Sequence, residues 1–120
     1  MDKQALFKFI KETYNVEPDY PWFDENAVVR HQDTRKWFGV IMNITADKLG
    51  INSEKRMDIL NVKCDPILIG SLRCENGYYP AYHMNKSSWI TIDIENVKGD
   101  EIKMLVDMSY ELTKKKEKRK

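Results

Sequence analysis

Two stretches of the chain crowd groups that could do chemistry. Tyr79-Pro80-Ala81-Tyr82-His83-Met84-Asn85-Lys86-Ser87-Ser88-Trp89 joins aromatics, a histidine, an amide and a lysine just ahead of an alternating run. Arg30-His31-Gln32-Asp33-Thr34-Arg35-Lys36-Trp37-Phe38 repeats the theme upstream. Lysines and arginines at strand ends suit phosphate oxygens, and tryptophans suit stacking on bases. The residues that could serve such a surface are Arg30, His31, Lys36, Lys63, Arg73, His83, Asn85, Lys86 and Trp89.

Other chemistries lack their parts. Two histidines and two cysteines (Cys64 and Cys74, ten apart) give neither a zinc spacing nor a CxxC motif. A nucleophile elbow, a Walker loop and GxGxxG are all missing from the sequence. We therefore expect no catalysis, no metal and no cofactor. Each candidate also has a purely architectural reading. Trp37 lies in the most apolar run and is expected in the core. Trp89 fits core or stacking equally. His31 and His83 fit hydrogen-bonded structural roles, Lys63 can lay its stem along apolar surface, and both cysteines are expected buried.

The elements that must position these groups follow from periodicity. Leu6, Phe7, Ile10 and Tyr14 recur at helical spacing over residues 2–14. Ala27–His31 and Lys36–Ile44 read as strands joined by the turn-like Gln32–Arg35, a hairpin. The second is continuously apolar and expected central, covered on both faces. Residues 45–52 suggest one helical turn ended by Gly50, and 57–63 a third strand. Asp65-Pro66 opens a short helix as N-cap and first position. Residues 88–95 alternate Trp89, Thr91, Asp93 against Ile90, Ile92, Ile94, a half-buried strand. Asp93, Glu95, Asp100 and Glu101 read as a solvated rim. A last helix after Gly99 carries Ile102, Leu105, Val106, Ser109 and Leu112 on one face. Strands gathered between terminal helices indicate an α+β fold with a mainly antiparallel sheet.

The 120 residues fit one domain, 1–113, followed by a basic tail, 114–120. The tail holds six of the positive charges and one negative, so the domain itself is net acidic although the whole chain is +1. An acidic body excludes binding nucleic acid by bulk charge alone. The tail fits a phosphate-binding extension or a solubilising helix end. No apolar run approaches a membrane span of about 18 residues. The expected setting is a reducing cytoplasm with both thiols free.

The blocks Val29-Arg30-His31, Lys36-Trp37-Phe38, Lys63-Cys64-Asp65-Pro66, Gly70-Ser71-Leu72-Arg73, Pro80 through Thr91 and Ser109-Tyr110-Glu111-Leu112 resemble, in the same order, the MmcQ/YjbR family. The resemblance runs over about residues 1–113. It implies a frataxin-like (CyaY-like) antiparallel sheet packed against N- and C-terminal helices. It also implies the family's DNA-binding label, which rests on likeness to a double-wing arrangement, with no enzymatic activity or cofactor. The nine candidates above occupy the matching positions. The first helix lacks the acidic ridge that iron delivery would need. The competing expectation is a protein-interaction or small anionic ligand module, with His83, Asn85 and Lys86 lining the pocket. The sequence leaves the oligomeric state open.

Overall fold

A computed structural model describes residues 1–115. The remaining positions of the basic tail, 116–120, lie outside the described residues. The chain runs α1 (Lys3–Tyr14), β1 (Ala27–Arg30), β2 (Trp37–Thr45), a 3-10 turn (Ala46–Leu49), β3 (Arg56–Lys63), α2 (Pro66–Leu72), β4 (Tyr78–Pro80), β5 (Trp89–Asp93) and α3 (Gly99–Thr113). The strands form one antiparallel sheet in the order β1-β2-β3-β5-β4. The arrangement is α+β and compatible with the frataxin-like plan.

Local chemistry accounts for the element ends. Asp2 caps α1 by accepting from the Ala5 amide, and Asn15 closes it in the left-handed region. Asp65 caps α2 through the Ile67 amide with Pro66 in the first turn. Gly77, at φ 89°, turns the chain into β4, and a Cβ there would meet Val97 Cγ2 at 2.5 Å. The short β4 carries no strand signal in the sequence, because Pro80 argues against a strand except at an edge, which is where β4 lies.

The helices cover one face of the sheet. Leu6, Ile10, Ile102, Leu105 and Val106 pack on Val29, Ile41, Leu60, Val62, Ile90 and Ile92. Alternation sends the intervening residues to the other face. There Val28, Val40, Ile59, Asn61 and Thr91 are also buried, outside the helix-side cluster. The segment 81–88 covers that face. The Tyr82 amide donates to Thr91 Oγ1 at 2.8 Å, Thr91 donates to Asn61 Oδ1, and Asn61 Nδ2 donates to the Tyr82 carbonyl at 3.3 Å.

Several expectations need correction. β5 is covered on both sides rather than half-buried, with Thr91 and Asp93 both buried. Asp93 is no solvated rim residue: it accepts from the Glu95 amide and from Asn96 Nδ2. In α3, Leu112 is exposed and Thr113 takes the buried position. Cys64 is buried, but Cys74, beyond the end of α2, is exposed. Trp37 is not core. The register between β1 and β2 shifts at Val29/Arg30, so that Arg30 pairs with Trp37 while Val29 pairs with Gly39. This bulge turns Phe38 into the helix-side core and Trp37 outward.

Candidate nucleic-acid interface and aromatic cleft

The register gathers four of the candidate groups, or their partners, at one end of the helix-free face. Arg30 lies opposite Trp37 on β1–β2, and Lys63 lies opposite Trp89 on β3–β5. The two pairs are linked through α3: Ser109 Oγ accepts from the Lys63 amide at 2.9 Å and donates to the Phe38 carbonyl at 2.6 Å. Lys63 therefore stands beside the start of β2. The β1–β2 turn contributes exposed Arg35 and Lys36, and the β4–β5 loop contributes Lys86. Both loops lie at this same end of the sheet.

The cations differ in how far they are committed. Arg30 Nε donates to Asp19 Oδ2 at 3.1 Å, and its guanidinium lies 5.7 Å from the Trp37 ring centroid. Arg30 thus seats the indole as much as it offers charge. Lys86 Nζ donates to the Ala81 carbonyl at 2.9 Å. Lys36 and Lys63 make no ion pair among the described residues.

Three candidates fall elsewhere or are occupied. Arg73 caps the C-terminus of α2, on the helix-bearing side and toward the opposite end of the strands. His31 is only 3% exposed, packed on Phe38 and Tyr110. Its Nε2 lies 2.8 Å from Thr113 Oγ1, whose hydroxyl donates to the Ser109 carbonyl. The threonine oxygen is thus left to accept from His31. Burial lowers the His31 pKa, against the pull of Asp33, the Tyr110 backbone and Glu111 and with a further push from Lys36. Asn85 is spent on a local turn, its Oδ1 accepting from the Ser87 amide and hydroxyl. His83, Asn85 and Lys86 therefore do not converge on one anion pocket.

His83 instead lines a cleft that the sequence did not disclose. Trp22, Trp37, Val40, Met42, Tyr82, His83 and Met84, with Asn26 at the rim, enclose about 350 Å³. Val40 and Met42 of β2 are the floor. One wall is Trp22, edge-on to Trp37 with centroids 5.9 Å apart and planes at 81°. The other wall is the 82–84 segment, where Tyr82 and His83 rings lie 4.1 Å apart. Each wall is turned by a non-glycine residue in the left-handed region, Phe23 at φ 59° and His83 at φ 59°. For a residue with a Cβ that conformation costs about 1–2 kcal/mol. Trp22 belongs to the proline-punctuated loop Asp19-Tyr20-Pro21-Trp22, where no strand or helix period marks which way the indole points.

Fold and site together define a small α+β domain with a basic–aromatic end to its helix-free sheet face. The YjbR family matches residues 11–112. The uncharacterized Bacillus subtilis protein YyaQ is 40% identical over 117 residues, covering 95% of this chain and 99% of its own. The chain belongs to the YjbR family. A crystal structure of a Pseudomonas syringae protein, 43% identical, superposes with a TM-score of 0.92 over 95% of this chain and all of that one. A Deinococcus radiodurans protein, 21% identical, shares the fold at a TM-score of 0.70 over 91% of this chain and 75% of its own. No helix among the described residues is long and apolar enough to cross a membrane.

Proposed function

We propose that this protein is a non-catalytic DNA-binding module of the cytoplasm, gripping the nucleic acid with the end of its helix-free sheet face. The observation that carries the reading is the placement of Lys63 and Trp89 directly opposite each other, with Trp37 and Lys36 at the start of the neighbouring strand. Lysines unpaired within the domain can neutralise phosphates, and indoles beside them can stack on exposed bases. The two loops at 31–36 and 81–88 would flank the strand as a pair of wings. The α3 C-terminus reaches the same end through the Thr113–His31 contact, which brings Lys114 and Lys115 beside the 31–33 turn. That arrangement offsets the acidic composition of the body, since affinity depends on local phosphate neutralisation rather than on net charge.

Fluorescence anisotropy of labelled duplex and single-stranded DNA against salt tests the proposal. With about four phosphates neutralised, the log–log salt slope should lie near about −3 to −4. Lys36→Ala and Lys63→Ala should each reduce it by about 1 and weaken binding to all sequences alike. No binding at low salt to either form of DNA would reject the reading.

A further inference from the structure

We propose that the cleft between Trp22 and Met84 is a binding site for one planar heteroaromatic ring of the nucleobase type. This goes beyond the DNA reading and stands without it. The cleft of about 350 Å³ is at the small end of the range for ligand sites, about 300–1,000 Å³. Its walls match a flat, polarisable guest. Trp22 and Trp37 meet at 81°, forming a corner in which a ring can stack on one indole and meet the other edge-on. Met42 and Met84 add thioethers, which favour aromatic contacts and adapt to irregular outlines.

The rim supplies what a nucleobase edge requires, a donor and a donor–acceptor. Asn26 Oδ1 accepts from the Asn43 amide at 3.1 Å and its Nδ2 donates to Asp24 Oδ2 at 3.3 Å. That leaves one amide hydrogen free. The His83 imidazole makes no hydrogen bond among the described residues, so both ring nitrogens remain available. The architecture is also held at a cost. Two separate loops each place a bulky residue at positive φ to set opposite walls of the same space, and such outliers gather at ligand clamps. Phe23 itself points away, 98% exposed. The conformation there serves the aim of Trp22 rather than the burial of Phe23.

The ring has two conceivable sources, a free nucleoside or nucleotide and an unpaired base in a strand. The test titrates the full chain with adenosine 5′-monophosphate, adenosine, ribose 5-phosphate and a short oligo(dA), following backbone amides by two-dimensional NMR. The expected result is saturable shifts at Trp22, Asn26, Val40, Met42, His83 and Met84 with the adenine compounds and none there with ribose 5-phosphate. Trp22→Ala and Met84→Ala should each weaken binding, Trp22→Ala by about tenfold or more, while Phe23→Ala leaves it unchanged. Equal affinity for adenosine and oligo(dA) assigns the free source, and tighter oligo(dA) binding through the same residues assigns the strand. Absence of saturable cleft shifts, or affinity unchanged in both cleft variants, overturns the inference. DNA binding that depends on Lys36 and Lys63 without cleft shifts overturns this inference alone. Ring binding in a protein without DNA affinity overturns the DNA reading alone.

Discussion

Ser109 Oγ donates to the Phe38 carbonyl at 2.6 Å, which ties α3 to the sheet at the bulge that separates Phe38 from Trp37. The same oxygen accepts from the Lys63 amide, so one buried hydroxyl satisfies a backbone acceptor on β2 and a donor on β3. Ser109→Ala removes both partners at once. Each orphaned buried group costs about 1–3 kcal/mol, so the variant should lose roughly 2–6 kcal/mol by urea denaturation, with an unchanged m-value. A loss below about 0.5 kcal/mol would show that the two backbone groups find water instead.

The buried His31 should make stability depend on pH. Its pKa in the folded state is lowered from 6.5, chiefly by burial, so the unfolded chain takes up the proton more readily. The sign follows from linkage: stability is full above about 6.5 and falls as pH drops from there toward the lowered folded value. Thermal melts between about pH 7.5 and 5.5 should show the midpoint falling on the acid side. His31→Gln should flatten that part of the profile. The groups that face the ring, Asp33, Glu111 and Lys36, are exposed and lie on the turn and on α3, so their variants should move the midpoint of the pH profile more than the stability at pH 7. A profile equally steep in His31→Gln would assign the pH dependence to other groups.

The candidate cations should separate by position. Lys63 and Lys36 share the helix-free end of the sheet, whereas Arg73 caps α2 on the opposite side. Arg73→Ala is therefore expected to leave DNA affinity unchanged, while Trp89→Ala should weaken single-stranded binding by the value of one lost stacking platform, about 1–3 kcal/mol. Equal losses in Arg73→Ala and Lys63→Ala would mean that charge is read diffusely and not by this face.

Much of the fold was legible because most elements obey a single period. The Leu6–Ile10 spacing, the Asp65-Pro66 cap and the Ile90-Ile92 alternation each specify their element from within. The misreadings share a cause: a tertiary feature overrode the local pattern. Trp37 sits in an apolar run, but the bulge at Arg30 rotates it outward. Thr91 alternates as a solvent-facing residue, yet a loop folds over it. Leu112 fits the helical stripe, but the helix ends against His31, which wants a hydroxyl and gets Thr113. Of the candidate surface, only the individual residues are legible in the sequence, not their grouping. Lys63 and Trp89 were named from sequence, whereas the cleft joins residues from loops and strands far apart in the chain and has no linear signature.

The loop over the sheet supplies the last prediction. Tyr79 through Trp89 reads from sequence as a partner surface or an architectural loop, and Tyr82 within it is clamped to the buried Asn61–Thr91 pair. Thr91→Val keeps the shape and removes the hydroxyl, leaving the Tyr82 amide without its acceptor and Asn61 Oδ1 without its donor. Stability should fall by about 1–3 kcal/mol. The effect should also be local, because Tyr82 and Met84 form one wall of the cleft and His83 holds a positive φ that depends on its neighbours being fixed. Amide hydrogen exchange should therefore accelerate at residues 82–84 more than in β3 or α3. If adenosine 5′-monophosphate binds the cleft, its affinity should fall in Thr91→Val although no cleft side chain has changed. A uniform increase in exchange across the sheet would instead mean that the clamp secures the whole domain and not the wall.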